Sequence, residues 1–454
     1  MNPEVQSPAT DFTRRDFLRG GSLAAMMTLL GGIPLRAEEA ANPAADAKPV
    51  IKIKTAIIGC GVWGREILTT LQRLPQAEMV AICDTYESAA KRAGKLAPSA
   101  KPTADFQSVL ADKDIQAVIV ATPTHQHKDI VTAALKAGKH VYCEAPLAHT
   151  LDDAKVIAKA AQEAFKQIFQ PGLQQRSDPQ NWFLVPFIRS APLGKSVMAT
   201  GHWNKKTSWR LDSPNPDRVK EINWRLDKAL SLGLVGEIGI HQIDRMVWLM
   251  GNQPVAVRGY GAIGFWQDGR EVPDTIEAFF EFPDGPFLTY TATLASSFQG
   301  EGEVLQGSDA SVLMRGSRAW MFKEVDAPLF GWEVYARKES IGEETGIVLR
   351  ADASKQKVAV GGTGVQAPET TSLQYALENF LGNCGEINAA VEDFVAAYDP
   401  NDRKGFAEVL KGIKLRHAAT WQDGYAATVL AIKANESILK RGQVELPKGL
   451  FELA

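Results

Sequence analysis

One stretch of the chain, residues 51–84, constrains the fold more than any other. An apolar run leads into the glycine turn Gly59-Cys60-Gly61-Val62-Trp63-Gly64, then a helical run, a second apolar run and Asp84. In such a strand–turn–helix–strand unit the first glycine makes the tight turn, the second admits a pyrophosphate, and the third packs helix on strand. The N–H groups that open the helix attract phosphate. Asp84, 20 residues after Gly64, can bind both hydroxyls of an unphosphorylated ribose, so the unit predicts NAD rather than NADP. The alternative is a glycine turn that binds no nucleotide.

The rest of the chain divides into two regions with different patterns of predicted helices and strands. Up to about residue 170, apolar runs of strand length alternate with helical patterns, which is typical of a doubly wound parallel sheet. From about Pro171 β-rich runs with turn signals dominate, and one clear helix runs from about Gly236 to Met250. We therefore predict an α/β Rossmann domain at 49–170. At 171–454 we predict an α+β domain with a large, open-faced, mostly antiparallel sheet.

Residues 1–48 form a separate leader. Thr13-Arg14-Arg15-Asp16-Phe17-Leu18-Arg19 precedes a mildly apolar, glycine-rich run from Gly20 to Pro34. Paired arginines before a weak apolar segment form a twin-arginine export signal, and the run is too short and glycine-rich for a stable membrane span. We expect the twin-arginine export machinery to carry the protein to the periplasm. An uncleaved signal would tether it to the inner membrane, and a basic leader without an export role is the alternative.

Charge and cysteine content restrict the classes of binding partner that the sequence predicts. The formal net charge is −3 at pH 7 and no long basic patch with interleaved aromatics occurs, so nucleic acid is not an expected partner. Cys60, Cys83, Cys143 and Cys384 lack metal-ligand spacing such as C-x-x-C. We interpret them as small buried hydrophobes and predict no metal site.

Four motifs follow one another in an order that resembles a known family. They are the glycine turn, Ala121-Thr122-Pro123-Thr124-His125, Cys143-Glu144-Ala145-Pro146-Leu147, and Gly239-Ile240-His241-Gln242-Ile243-Asp244. From about Lys52 to Pro447 the chain resembles the Gfo/Idh/MocA family, named for glucose–fructose oxidoreductase, inositol dehydrogenase and MocA. The resemblance implies a Rossmann domain followed by an open-faced sheet that binds a sugar or polyol. It also implies hydride transfer between a secondary alcohol and C4 of a nicotinamide, in a homodimer or homotetramer.

The resemblance extends the cofactor site beyond the glycine turn, because segments that leave the carboxyl ends of parallel strands line the ligand crevice. The expected set is Gly59, Gly61, Val62, Trp63, Gly64, Asp84, Thr122, Pro123, His125, Glu144 and Ala145. For His127 a structural role is the better interpretation. Most family members have a lysine at the position of Ala145, where it helps the reacting hydroxyl lose its proton. Alanine cannot donate a hydrogen bond, so this assistance is absent here.

His241 and Glu237 are the expected catalytic residues, because they match the family's acid/base histidine and its partner acid. Their spacing predicts positions i and i+4 on one face of one helix. A carboxylate beside a histidine orients the ring and raises its pKa, which suits proton transfer near neutral pH. A structural Glu–His pair at the start of the helix is the alternative.

Polar and aromatic residues near the predicted domain crossover are candidates for binding substrate. Tryptophans can stack on sugar faces, and a lysine from a strand end could stand in for the missing one. The candidates are Gln174, Arg176, Trp203, Lys205, Trp224, Arg225 and Asp244. Core packing, subunit contacts and solvated turns are the competing interpretations of these residues.

Together these patterns predict an exported oxidoreductase that acts on a sugar, glycoside or polyol with tightly bound NAD. Free NAD should be scarce outside the cytoplasm, so the cofactor would be loaded before export and regenerated in place. A first alternative is an NAD-dependent glycoside hydrolase or lyase that oxidises one carbon transiently, eliminates across the glycosidic bond and returns the hydride. A second alternative is a non-catalytic sugar-binding protein, for which Ala145 is the main support.

Overall fold

The structure is a computed structural model that describes residues 50–351 and 370–453. The predicted twin-arginine signal therefore lies outside the described residues. No helix within the described ranges is long and apolar enough to cross a membrane.

The first domain is built on a parallel sheet with the strand order β3-β2-β1-β4-β5-β6. Its strands are β1 (Ile53–Ile58), β2 (Ala77–Cys83), β3 (Lys101–Thr103), β4 (Ala117–Val120), β5 (His140–Cys143) and β6 (Phe169–Pro171). The connecting helices are α1 (Val62–Leu71), α2 (Glu87–Gly94), α3 (Phe106–Ala111), α4 (His127–Lys136) and α5 (Leu151–Glu163). Every residue of β4 and β5 is buried, as expected of central strands covered by helices on both faces. The predicted doubly wound sheet is confirmed.

The second domain carries a ten-stranded sheet in the described part of the chain, in the order β14-β15-β13-β12-β11-β7-β10-β9-β8-β16. Neighbours in this sheet run antiparallel, except for the parallel pair β7 and β10. Its strands are β7 (Ser196–Asn204), β8 (Ala256–Ala262), β9 (Thr275–Glu281), β10 (Phe287–Thr293), β11 (Glu301–Gly307), β12 (Ala310–Arg315), β13 (Arg318–Lys323), β14 (Lys338–Ile341), β15 (Glu344–Leu349) and β16 (Gln443–Glu445). The predicted mostly antiparallel sheet is confirmed.

One face of this sheet is covered and the other is open. Along β9 the residues alternate strictly between exposed and buried, so a single face enters the core. The covering helices include α6 (Pro179–Ile188), α9 (Gly239–Met250) and α12 (Trp421–Lys440). Three further helices are α7 (Pro216–Ile222), α8 (Gly233–Glu237) and α11 (Arg403–Lys411).

The last helices return to the first domain. Helix α10 (Ser372–Ala397) packs Leu377 and Phe380 into the same core cluster as the strand β1 residues Ile53 and Ile57. Helix α12 contributes residues to the cores of both domains. Residues 372–397 and part of 421–440 therefore pack on the Rossmann domain although they follow residue 171 in the chain, and the boundary at residue 171 stays a prediction.

The helix that carries His241 begins later than its sequence suggests. Helix α8 ends at Glu237 and helix α9 begins at Gly239, and the backbone of Ile238 between them has φ −123° and ψ −52°. The prediction of one continuous helix from Gly236 to Met250 is therefore wrong. Glu237 and His241 lie on two helices and are not an i, i+4 pair on one face.

An ion cluster fixes the segment after β6 against the second domain. Arg176 donates from Nε and Nη2 to the two carboxylate oxygens of Asp244, both at 2.9 Å, and its Nη1 lies 2.8 Å from Oδ1 of Asp423 on α12. The Asp244 carboxylate is 4% exposed and the Arg176 guanidinium side chain 14%. Arg176 and Asp244 thus form a buried, bidentate ion pair. The structure therefore shows a structural role for both residues, and their contact with substrate stays a prediction.

We expect Arg176→Met to lower the free energy of unfolding by about 3–5 kcal/mol, because it leaves Asp244 buried without its cation. The matched control is Arg337→Met, which removes an exposed guanidinium 2.9 Å from Glu339 and should cost at most about 1 kcal/mol. Urea unfolding monitored by tryptophan fluorescence measures both. Equal losses in the two variants would contradict the structural role of the cluster.

Candidate active site

One cavity of about 920 Å³ joins the two domains. Its lining on the Rossmann side comes from the start of α1 and from the carboxyl ends of β4 and β5: Val62, Trp63, Glu66, Ala121, Thr122, Thr124, His127, Glu144 and Ala145. Its lining from the second domain includes Gln174, Gln175, Trp203, Trp224, Arg225, Glu237, Ile238, His241, Gln242, Arg245, Glu301, Glu303, Gly316 and Ser317. The start of α10, residues 370–373, closes another side.

The glycine turn is shaped by close backbone contacts. Gly59 has φ +97°, and a Cβ there would lie 2.6 Å from the carbonyl carbon of Ala121 and 2.7 Å from the amide nitrogen of Thr122. A Cβ on Gly64 would lie 2.0 Å from the carbonyl oxygen of Gly59. These two glycines bring the start of α1 and the ends of β1 and β4 together, which is where a doubly wound sheet binds dinucleotides.

Gly61 differs from the other two glycines because it faces open space. A Cβ on Gly61 would meet no protein atom within 4 Å. Gly61 is also the N-cap of α1 and offers no side chain to its free N–H groups. An open approach to uncapped amides fits the pyrophosphate of a dinucleotide.

Asp84 follows β2 directly and is held in place by main-chain donors. Its Oδ2 accepts from the amide of Cys60 and its Oδ1 from the amide of Tyr86, both at 2.8 Å. Each carboxylate oxygen still has a free lone pair, so Asp84 can also accept ribose hydroxyls. Burial raises the pKa of the neighbouring Cys60 thiol to about 12, so this cysteine is a neutral, apolar part of the turn.

Buried polar atoms without partners face the crevice at the ends of β4 and β5. Thr122 Oγ1 and Glu144 Oε1 are buried and lie outside hydrogen-bonding geometry with any described donor. Burial raises the pKa of Glu144 to about 7. Unsatisfied groups of this kind are rare in folded proteins and indicate a place for a ligand. These residues, the open Gly61 and the anchored Asp84 together fit NAD.

Six residues of the predicted cofactor set are not part of the cavity lining, namely Gly59, Gly61, Gly64, Asp84, Pro123 and His125. The His125 ring packs edge-on against Trp224, with centroids 5.9 Å apart. The buried His127 instead lies between the two strand-end turns, with its ring nitrogens each 3.0 Å from a carbonyl oxygen, that of Thr122 or Pro146. His127 therefore holds the two turns together, in agreement with the structural interpretation.

His241 lines the cavity without a carboxylate partner. Its side chain makes no hydrogen bond to any residue that the structure describes, and burial lowers its pKa to about 4. The expectation that a flanking carboxylate raises this pKa is therefore wrong. At neutral pH the imidazole is uncharged and has a free lone pair.

The hydrogen bonds of the Glu237 carboxylate go to residues other than His241. Its Oε2 accepts from Thr124 Oγ1 at 3.1 Å, and its Oε1 accepts from the amide of Leu232 at 3.2 Å and from Ser231 Oγ at 3.4 Å. Thr124 belongs to the Rossmann domain and Glu237 to the second domain. Burial raises the pKa of this carboxyl, and Arg225 opposes the shift. Glu237 thus positions the two domains beside His241 rather than orienting its ring.

The predicted substrate contacts divide into two groups. Gln174, Trp203, Trp224 and Arg225 line the cavity. Lys205 is outside the lining: it is exposed just after β7, where its amide donates to the carbonyl oxygen of Thr293, and its role as a replacement lysine stays a prediction. Arg176 and Asp244 also lie outside the lining.

Several charged or polar lining residues were not among the predicted site residues, including Gln242, Arg245, Glu301 and Glu303. The two glutamates had a recognisable signal, since they lie two positions apart in a strand and so share one face. Within the described ranges no three His, Cys, Asp or Glu side chains meet in a way that could hold a metal ion.

Comparison with known proteins identifies what the chain is similar to. The family model described as "Oxidoreductase family, NAD-binding Rossmann fold" matches residues 53–172, and the one described as "GFO/IDH/MocA C-terminal domain" matches residues 187–313. Together these two models of one family span more than half of the chain.

Individual relatives match over part of their length. Inositol 2-dehydrogenase of Salmonella typhimurium is 31% identical over 211 residues, which are 46% of this chain and 57% of that protein. Levoglucosan dehydrogenase of Pseudarthrobacter phenanthrenivorans is 27% identical over 212 residues, 42% of this chain and 52% of that protein. These alignments thus cover little more than half of each relative.

Solved structures match nearly the whole fold. An oxidoreductase domain protein from Kribbella flavida has a TM-score of 0.65 at 20% identity, covering 88% of this chain and 100% of that one. A levoglucosan dehydrogenase in complex with NADH and levoglucosan has a TM-score of 0.63 at 19% identity, covering 87% and 100%. At these identities the match establishes the fold.

Two glycine variants separate folding from cofactor binding. Gly61→Ala should leave the melting temperature unchanged but weaken NAD binding about 10- to 100-fold, because the added methyl occupies only the open approach to α1. Gly59→Ala should lower the free energy of unfolding by about 3 kcal/mol, because it combines a positive φ with backbone overlap.

The control for this pair is Gly94→Ala on α2, where a Cβ also meets nothing within 4 Å and where no cofactor contact is expected. Thermal melts and calorimetric titration with NAD measure the two effects. Unchanged NAD affinity in Gly61→Ala would contradict the placement of the pyrophosphate.

A pH dependence follows from the buried carboxyl of Glu144. Its pKa in the folded protein, about 7, lies above the ordinary value of 4.5, so the folded protein keeps a proton that the unfolded chain releases between these values. Stability conferred by the protonated carboxyl is therefore complete below about pH 4.5 and is lost as the pH rises toward 7, by on the order of 3 kcal/mol.

We expect Glu144→Gln to abolish this loss. The stability of the variant relative to the natural protein should increase by on the order of 3 kcal/mol between pH 4.5 and pH 8, as measured by urea unfolding without added cofactor. A stability difference that stays constant across this range would show that Glu144 ionises normally.

Proposed function

This chain belongs to the GFO/IDH/MocA family of oxidoreductases, and on that premise we propose that it transfers hydride between a secondary alcohol of a sugar, glycoside or polyol and NAD. The observation that carries the proposal is the single cavity, which runs from the glycine turn of the NAD-binding domain to His241 on the second domain. The names of similar proteins, inositol 2-dehydrogenase and levoglucosan dehydrogenase, support a substrate rich in hydroxyl groups.

The chemistry divides between the cofactor and this chain's residues. Bound NAD supplies the hydride acceptor. When an alcohol carbon loses hydride, its hydroxyl must also lose a proton, and His241 can accept it because burial keeps the imidazole uncharged at neutral pH. Ala145 offers no donor to the hydroxyl, so His241 is the expected proton acceptor. Glu237 keeps the two halves of the site in register through Thr124.

We also propose that the cofactor is retained during catalysis and export. The guanidinium of Arg218 on α7 lies over the ring of Tyr86, 3.6 Å from its centroid. Tyr86 lies two residues beyond Asp84, so a segment of the second domain contacts the ribose end of the proposed NAD site. Such a contact across the domains would slow release. Export to the periplasm rests on the twin-arginine pattern around Arg14 and Arg15.

A homo-oligomer is the proposed assembly. The open face of the large sheet exposes the aromatic side chains of Tyr260 on β8 and Phe279 on β9. Phe279 also stacks on Phe287 of the adjacent strand, with ring centroids 5.1 Å apart. A flat face with exposed aromatics is suited to pairing with a second copy of the chain.

A second candidate function is cleavage of glycosidic bonds through transient oxidation by bound NAD. Two observations favour it: Ala145 removes the lysine that serves ordinary oxidation in the family, and Glu144 is a carboxyl with a pKa near neutral. A carboxyl of this kind can donate a proton to a leaving group. In this cycle the hydride returns to the sugar and no net NADH accumulates.

One experiment distinguishes the two functions and tests His241. Purified protein is incubated with a panel of polyols, sugars and chromogenic glycosides while NADH absorbance and glycoside release are recorded together. Net NADH supports the oxidoreductase, and release without NADH supports cleavage. In either case His241→Asn should lower kcat about 10²- to 10⁴-fold and leave the affinity for NAD unchanged.

The matched control is His417→Asn, which alters a histidine that stacks on Trp182 away from the cavity. Its activity should stay close to that of the natural protein. No turnover on the panel, with sugar binding intact in His241→Asn, would instead identify a non-catalytic sugar-binding protein.

A further inference from the structure

The part of the cavity that strands β7 and β11 border has a floor of polar side chains. Strands β7 and β11 pair so that Glu301 lies opposite Trp203 and Glu303 opposite Gly201. Residues two apart in a strand share a face, so both glutamates lie on the face of Trp203. A Cβ on Gly201 would lie 3.9 Å from the side chains of Glu303 and Gln242, which places α9 over this same face.

The two glutamates differ in their electrostatic state. Glu303 is buried and its Oε2 lies 3.1 Å from Nη1 of Arg245, whose Nε donates to Asn181. This pair is neutral overall. Glu301 is exposed to the cavity and has no ion-pair partner among the residues that the structure describes. Burial and the neighbouring Glu303 raise the pKa of Glu301 while Arg245 opposes the shift, so the ionised Glu301 adds a negative charge that no direct ion pair within the described ranges compensates.

Gln242 adds a neutral acceptor beside this charge. The residue is 93% buried, and its Nε2 donates to the carbonyl oxygens of His202 at 3.1 Å and Gly302 at 3.5 Å. Because both partners are acceptors, the amide nitrogen must face them. The amide oxygen Oε1 is left buried, without a partner in the described chain, on a residue that lines the cavity. A ligand donor is the group that would satisfy it.

This part of the cavity offers hydrogen-bond acceptors and the aromatic ring of Trp203. The guanidinium of Arg245 is already paired with Glu303. Hydroxyl and ammonium groups can donate to Glu301 and to Gln242 Oε1, and an apolar sugar face can stack on Trp203. A carboxylate or phosphate has no donor to offer and is repelled by Glu301. The arrangement thus discriminates between ligands by charge.

We propose that Trp203, Gln242 and Glu301 form a subsite that accepts neutral or amino sugars and rejects sugar acids and sugar phosphates. The proposal rests on the proposed action on a sugar and narrows its substrate class. Glu301 is the residue that determines this specificity. The neutral Arg245–Glu303 pair beneath it holds α9 and β11 in position.

The test uses the full chain loaded with NAD and three sugars of similar ring structure and different charge: D-glucose, D-glucosamine and D-glucuronate. The natural protein should bind or turn over glucose at least about tenfold better than glucuronate, which is the effect of one repulsive charge at this range. Glu301→Lys should shift the ratio at least tenfold toward glucuronate, and Glu301→Gln should shift it several-fold.

The matched control is Glu163→Lys, the same charge reversal at an exposed position at the end of α5 outside the cavity lining. It should leave the ratio unchanged. Affinities are measured by calorimetry whether or not turnover occurs, and kcat/KM is measured wherever NADH or product forms.

The outcomes separate this subsite from the proposed function. Turnover of neutral sugars with a glucose-to-glucuronate ratio that Glu301→Lys does not move overturns the subsite alone. Sugar binding without turnover, with the expected shift in the ratio, supports the subsite and overturns the enzyme. No binding of any of the three sugars overturns the subsite.

Discussion

The site depends on helix α12, which belongs to the hydrophobic cores of both domains. Val429 packs with the Rossmann core and Leu430 with the core under the large sheet. On the same helix, Thr428 Oγ1 accepts from the amide of Leu147 in the turn after β5 at 3.0 Å, and Asp423 pairs with Arg176. Because one rigid helix is shared, the end of the parallel sheet and the face of the antiparallel sheet keep a fixed separation. The cavity is the space that this separation leaves.

The parts of the fold with local causes were predictable. Gly64 is required by its contact with the Gly59 carbonyl oxygen within one strand–turn–helix unit, and Gly59 by its positive φ, so the sequence around them identifies that unit. Strand β4 is a continuous apolar run, which identifies it as a buried strand. The return of α10 to the first domain has no such signal. Phe380 meets Tyr142 edge-on at 5.8 Å, yet nothing in either segment identifies the other as its partner.

The separation of Glu237 and His241 onto two helices has a physical cause. Spacing alone suggested one helix, but Gly236 and Gly239 flank a break. A Cβ on Gly239 would lie 2.7 Å from Cε1 of Tyr290, so the second glycine lets α9 start close to β10. The break turns Glu237 toward Thr124 and leaves His241 facing the cavity alone. Two glycines three apart within an apparent helix were the available signal.

Burial then reverses the usual order of proton affinity in the cavity. An ordinary carboxyl is ionised at neutral pH and an ordinary histidine is partly protonated. Here burial raises the pKa of Glu144 to about 7 and lowers that of His241 to about 4, so near neutral pH the carboxyl is about half protonated while the imidazole is uncharged. Groups whose environments push their pKa values apart in this way are suited to acid and base roles. His241 is thus available as the base for oxidation of an alcohol, and Glu144 as an acid for departure of a leaving group. Because Ala145 supplies no side-chain donor, we propose that the balance between these two residues selects between the two proposed reactions.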